Sequence, residues 1–144
     1  MKNLVKTFAF AGLLIASSFQ AFAIDGKEKL NNTVVENVVD EYINSTVKGN
    51  TTYAKELFSD KFIQKFQSDE NQAAFSKEVY LKHIKANEGI SFDCDTEYQL
   101  IEKSDKISIA KVTMKFKNFT RTDYVTMNQE KDGWKVKEVN SVFR

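Results

Sequence analysis

The spacing of hydrophobic positions changes once along this chain, near Gly89. Before it, apolar residues recur at three and four. From Leu30 to Lys48 the set is Val34, Val35, Val38, Val39 and Tyr42, with Glu36, Asn37, Asp40 and Glu41 taking the opposite side. That spacing predicts one amphipathic helix. Gly49 stands where a helix ends, and Lys48 suits the negative end of its dipole. Asn50 can cap a second, shorter helix carrying Tyr53, Ala54, Leu57 and Phe58. Ser76 caps a third, ending at Asn87-Glu88-Gly89, with Tyr80, Leu81 and Ile84 as its buried face. Between the second and third, Phe62 and Phe66 fit one face of a short strand, but with Ile63 adjacent they also fit a helical turn. Gln67 to Gln72 is polar and reads as a loop.

Beyond Gly89 the period is two. Ile90, Phe92, Cys94, Thr96, Tyr98 and Leu100 share one strand face, and Ser91, Asp93, Asp95, Glu97 and Gln99 the other. After a turn at Ser104-Asp105-Lys106, a second strand runs from Ile107 to Phe116 with Ala110, Val112, Met114 and Phe116 in phase. Ile107 and Ile109 are out of phase, which predicts a bulge or a covered outer face. Phe119 to Gln129 is a third strand. Lys131-Asp132-Gly133 is a tight turn, and Trp134 to Phe143 is a fourth strand whose apolar phase slips between Val136 and Val139. Helices followed by four antiparallel strands predict an α+β domain, with the helices on one face of a strongly curved sheet. A curved sheet closed by helices is a cone, and a cone leaves room for a pocket.

The first 23 residues follow a different pattern. Lys2 and Lys6 precede an apolar run from Phe8 to Ala16, and Ala21-Phe22-Ala23 supplies small residues at the spacing a signal peptidase uses. The run is too short to span a membrane, which takes about 20 apolar residues. The expectation is a signal peptide at 1–23 and a single domain at 24–144, periplasmic or secreted and soluble after cleavage.

Composition narrows the function. Removing 23 of 144 residues leaves 121, one domain's worth of chain. Lys2 and Lys6 leave with the leader, so 19 basic residues face 20 acidic ones, and no basic excess remains for nucleic acid. Cys94 is the only cysteine, so no intramolecular disulfide forms. It is either a small buried hydrophobe or a reactive thiol. One His, one Cys and no clustered ligand spacing give no metal site. No phosphate-cradling glycine loop or dinucleotide fingerprint is present, so no cofactor is expected.

Few residues offer chemistry. His83, the only histidine, flanks the apolar stripe of the third helix. It is a general base at a pocket mouth or a boundary histidine bonded to water or backbone. Asp123 shares a strand face with Val125 and Met127. If that face is inward, a carboxylate sits on the apolar side of the sheet and can move protons; if Tyr124 is inward, Asp123 is solvated. Tyr42, Phe92, Tyr98, Phe116 and Trp134 lie on inward patterns and either line a flat-ligand pocket or form plain core.

The element order, with Tyr42-Ile43-Asn44 and Gly49-Asn50 ending the first helix, Glu56-Leu57-Phe58-Ser59-Asp60-Lys61-Phe62, Thr122-Asp123-Tyr124-Val125-Thr126 and Asp132-Gly133-Trp134-Lys135-Val136, resembles the nuclear-transport-factor-2-like superfamily. In particular it resembles the bacterial branch labelled putative lumazine-binding, over roughly residues 30 to 144. The resemblance implies a cone with a hydrophobic pocket and pairing into homodimers. It also implies either binding without catalysis or an isomerase, dehydratase or cyclase working through pocket Asp, His and Tyr. The expectation drawn is a non-catalytic domain holding a small apolar or flat ligand, with Tyr42, Phe92, Tyr98, Phe116, Asp123 and Trp134 around it. The alternatives are an isomerase or hydratase using Asp123 with a tyrosine or His83, and a homodimeric interaction domain without ligand.

Overall fold

A computed structural model describes residues 28–67 and 72–144. The expected leader and its cleavage site fall outside the described residues, as does most of the predicted loop between Gln67 and Gln72. Helix α1 spans Val35–Thr46, α2 Ala54–Leu57 and α3 Lys77–Ala86. Strands β1 (Phe58–Gln67), β2 (Gln72–Ser76), β3 (Asp95–Lys103), β4 (Ile107–Lys115), β5 (Thr120–Glu130) and β6 (Gly133–Phe143) form one sheet in the order β2-β1-β6-β5-β4-β3. The helices pack against its concave face, as the α+β reading requires.

The four strands expected after Gly89 pair antiparallel, β3 with β4, β4 with β5 and β5 with β6. Two features extend that expectation. Phe62 and Phe66 lie on a ten-residue strand, β1, that joins β6 in parallel, and Phe58 starts this strand rather than ending a helix. The second strand, β2, continues from the predicted loop and forms a short antiparallel edge on β1. Parallel pairing is possible because the long path through α3 and β3–β5 returns the chain to the other side of β1. The first expected strand is also shorter: Ile90 to Cys94 is irregular, and pairing begins at Asp95.

Three breaks in ladder register accompany the curvature: one in β1 between Phe58 and Ile63, and single-residue bulges in β6 and β3. Trp134 and Val136 face the core, Val139 and Ser141 face it again, and the extra residue between them, Lys137, absorbs the phase slip. The second bulge lies in β3, across from Ile109, while β4 itself is regular from Ile107 to Lys115. Leu100 pairs with Ala110 and Glu102 with Ile109, so Ile101 on β3 is the inserted residue. Ile107 and Ile109 alternate with the buried Ser108 and Ala110, so they lie on the outer face of β4, where Ile107 is exposed.

The core lies between α1 and the concave face. Val38, Val39 and Tyr42 from α1 meet Phe58 and Phe62 from β1, Val112 and Met114 from β4, Val125 and Met127 from β5, and Val136 and Val139 from β6. Glu41 departs from its predicted solvent side and is buried, because α2 and the segment around Leu30 cover the second face of α1. Gly49 adopts φ +69°, and a Cβ there would lie 2.6 Å from the carbonyl oxygen of Ile90. Only glycine permits that contact. It lets Gly49 O accept from the N–H of Gly89 and Val47 O from the N–H of Phe92, tying the chain after α3 to the end of α1.

Candidate functional site

Inward-facing residues at one end of the sheet are polar where they are deep and aromatic where they are shallow. Asp123 on β5 is fully buried. Its Oδ2 accepts a hydrogen bond from Tyr42 Oη on α1 at 2.7 Å. Its Oδ1 accepts from Arg121 Nε at 2.8 Å and from Ser141 Oγ on β6 at 2.5 Å. Ser141 Oγ in turn accepts from Gln64 Nε2 on β1 at 2.8 Å and from Arg121 Nη2 at 3.3 Å. Four elements thus meet in one network. A buried ion pair is tolerated only when further hydrogen bonds satisfy both partners, and this one has them on the carboxylate side. Gln64 Oε1 is the unspent acceptor beside it, without a partner among the described residues.

Strand periodicity places Arg121 two residues before Asp123 on the same face, so the pair forms within one strand. Burial opposes the charge on Arg121, but the adjacent Asp123 carboxylate outweighs it and holds the guanidinium above the usual arginine range. Burial, reinforced by the Asp123 charge, pushes the Tyr42 phenol well up, and burial does the same to Tyr80. Both tyrosines therefore stay protonated, as hydrogen-bond donors.

Arg121 is the member of the network that reaches open space. Its side chain is 18% exposed, against 0% for Asp123. It lines a cavity of about 70 Å³ together with Tyr80, His83, Asn87, Phe66 and Phe92. Around the mouth runs an arc of phenylalanines in ring contact. Phe92 meets Phe116 with centroids 6.4 Å apart, Phe116 stacks on Phe119 at 4.4 Å, Phe119 meets Phe143 at 6.2 Å, and Phe143 stacks on Phe66 at 6.1 Å. Phe66 and Phe92, the two ends of the arc, both line the cavity. Arg121 also sits 5.9 Å from the ring centres of Phe66 and Phe143.

A larger hollow lies elsewhere. An open groove of about 1030 Å³ runs between α2, β1, β2 and α3, with Phe62, Ile63 and Leu81 as floor and Lys55, Lys61, Lys77 and Lys85 at its edge. Lys77 reaches across to Asp60 at 3.1 Å. Lys77 is itself largely covered, but its partner Asp60 is fully exposed, so the groove walls hold no buried polar cluster. Of these two the smaller cavity is the better candidate, because a buried polar network and several aromatic walls converge on it.

The sequence-predicted residues divide between this site and other places. Asp123 is the inward residue of β5 and Tyr124 the outward one. His83 and Phe92 line the small cavity and Phe116 belongs to the arc. Tyr42 is buried behind Arg121. Tyr98, partly exposed on β3, stands near Asp40 and Glu36 of α1; partial burial and these carboxylates raise its phenol. Trp134 is buried at the start of β6, seven residues and about 20 Å of strand away from Ser141. Asp93 and Asp95 are exposed, and Cys94 is a free, half-buried thiol packed against the core. Sequence reasoning missed Arg121, Ser141, Gln64 and the outer phenylalanines. The signal for Arg121 was its i, i+2 spacing to Asp123. No local signal joins Gln64 to Ser141, since they meet only through the parallel pairing of β1 and β6.

The curled sheet closed by helices has the cone-shaped fold of NTF2-like proteins. Residues 31–144 match the model of the family described as putative lumazine-binding, and the chain belongs to that family. Compared with curated proteins, the sequence has no match. Among solved structures it is similar to an NTF2-like protein of unknown function from Silicibacter pomeroyi, at 13% identity and TM-score 0.61, covering 76% of this chain and 91% of the other. It is also similar to one from Methylobacillus flagellatus, at 12% identity and TM-score 0.63, covering 76% and 89%. A protein described as a putative ketosteroid isomerase, from Parabacteroides distasonis, aligns at 13% identity and TM-score 0.53, covering 81% of this chain and 92% of the other. At these identities the likeness concerns the fold. Among the described residues no helix is long and apolar enough to cross a membrane.

Proposed function

We propose that this protein is an exported, non-catalytic domain that holds a small flat or apolar ligand at the open end of its curled sheet, and that it works as a homodimer. The observation that carries the binding reading is the phenylalanine arc closing on a cavity with Arg121 at its wall. Small-molecule sites are built from apolar and aromatic walls with a few placed polar groups. Lumazine, the compound in the family's description, is a flat heterocycle with carbonyl acceptors, which suits such walls. Phe92 and Phe116 take part directly, and Tyr42 and Asp123 act through Arg121. Tyr98 and Trp134 lie outside the proposed site. The leader-like pattern at 1–23 supports export, and the exposed Ile101 and Ile107 on the outer sheet face support pairing there.

Catalysis by Asp123 is disfavoured. A carboxylate offers about four lone-pair sites. Three are filled by Tyr42, Arg121 and Ser141, and the group is fully buried. A general base needs a free lone pair within hydrogen-bond reach of substrate. His83 lines the cavity but has no carboxylate partner among the other lining residues to orient it.

Native mass spectrometry of freshly purified protein tests the reading. Retained mass lost on denaturation, or an adduct after incubation with lumazine or a naphthalene probe, is the expected result. A bare mass in both experiments contradicts it.

A further inference from the structure

The cavity wall has a marked chemical bias. Its lining contains one permanent cation, Arg121, and no carboxylate. The acid that neutralises Arg121 lies behind it and is sealed from the cavity. Several lining polar groups are already committed. Ser45 Oγ and Thr46 Oγ1 both donate to the Tyr42 carbonyl, and Asn87 Nδ2 donates to the His83 carbonyl. A guanidinium carries five N–H donors. Arg121 spends one through Nε on Asp123 and one through Nη2 on Ser141, and it stands within side-chain hydrogen-bonding reach of the Tyr80 oxygen, so at least two of the five remain for a ligand. With the Tyr80 hydroxyl beside it, the cavity presents unspent donors and positive charge, and no matching acceptor of negative charge.

From this, and resting on the binding reading above, we infer that the ligand is an amphiphile with an anionic head. A carboxylate or comparable oxyanion enters the cavity against Arg121 and Tyr80, and an aromatic or aliphatic body lies along the phenylalanine arc. The dimensions agree. Pockets that enclose a whole ligand measure about 300–1,000 Å³, so a cavity of about 70 Å³ takes a head group and not a whole ligand. The body has its own place outside, where Phe119 and Phe143 are 43% and 48% exposed, far more than folding alone requires of two phenylalanines. Arg121 is also pre-positioned, because Asp123, Ser141 and two aromatic rings hold its fork in place before any ligand arrives.

Two fluorescent probes that differ by one group test this directly. 8-Anilinonaphthalene-1-sulfonate carries the anion and N-phenyl-1-naphthylamine lacks it. The folded protein should bind the sulfonate about tenfold or more tighter, the worth of one charge-assisted hydrogen bond. In the double variant Arg121→Gln with Asp123→Asn, which leaves no lone buried charge, the preference should vanish while the neutral probe still binds. Arg121→Lys, a second variant, should keep a weaker preference, since it retains the charge and loses the fork. Equal affinities in the parent protein would overturn the anionic head and leave the apolar site standing. A preference that survives the double variant would overturn the assignment to Arg121. Binding of neither probe would overturn the site itself.

Discussion

Tyr42 and Asp123 come from residues 81 positions apart, and their 2.7 Å hydrogen bond fastens α1 to the middle of the sheet. Tyr42→Phe keeps the ring and deletes the donor, leaving Asp123 Oδ2 buried without a partner. The expected loss is about 1–3 kcal/mol of unfolding free energy, read from urea denaturation at neutral pH; an unchanged midpoint would show that the network does not hold the helix. Glu41 behaves in the opposite sense. Burial raises its carboxyl above the ordinary 4.5, against a weaker hydrogen bond from Asn44. The folded state therefore binds this proton more tightly than the unfolded chain does. The resulting destabilisation is absent below pH 4.5, grows as pH rises toward the raised value, and is complete above it. Glu41→Gln should accordingly be more stable than the parent at pH 7, and the difference should shrink as pH falls through that window. Paired denaturation curves at several pH values check this, and a difference that grows in acid would contradict it.

At the scale of elements, the bulge at Lys137 decides which side chains reach the core. Strand side chains alternate, so one residue more or less reverses every side chain on one flank. Deleting Lys137 would turn Trp134 and Val136 outward while Val139 and Ser141 stayed in place. The expected outcome is a red-shifted Trp134 emission and loss of a cooperative thermal transition. This element was legible in the sequence, because Trp134, Val136, Val139 and Phe143 show the slip directly. The helices were legible for a similar reason: α1 and α3 carry their periods within one window. The segment Ser59 to Ser76 was not. Phe62, Ile63 and Phe66 satisfy both periods, and what makes them a strand is β6, some 75 residues further on, which no local pattern contains. The cost of that ambiguity was Gln64, whose partner Ser141 lies on β6.

For the whole molecule, the curled sheet creates a difference between its two ends. At the Trp134 end the concave face is closed by the segment around Asn32, whose carbonyl accepts from the Trp134 N–H at 2.8 Å. At the other end, Phe66, Phe92, Phe119 and Phe143 are left around Arg121. The cone followed from sequence pattern, the inward side of Asp123 was one of two readings that strand phase left open, and the arc followed from neither. Its members come from β1, β6 and the segments flanking β3, β4 and β5, and only curvature brings them together. The outer face carries a separate expectation. If Ile101 and Ile107 are a pairing surface, sedimentation at micromolar concentration gives a dimer, and Ile107→Lys returns it to a monomer; a parent protein that is monomeric throughout removes the pairing proposal without touching the cavity.

The central claim is that ligand enters the small aromatic mouth and not the larger groove between α3 and β2. Amide and methyl chemical-shift mapping of the protein titrated with decanoate tests it most directly. The account predicts saturable shifts centred on Phe66, Phe92, Arg121 and Phe143, with Ile63, Leu81 and Lys85 unmoved. Shifts confined to Ile63, Leu81 and Lys85, or none at any residue, would contradict it.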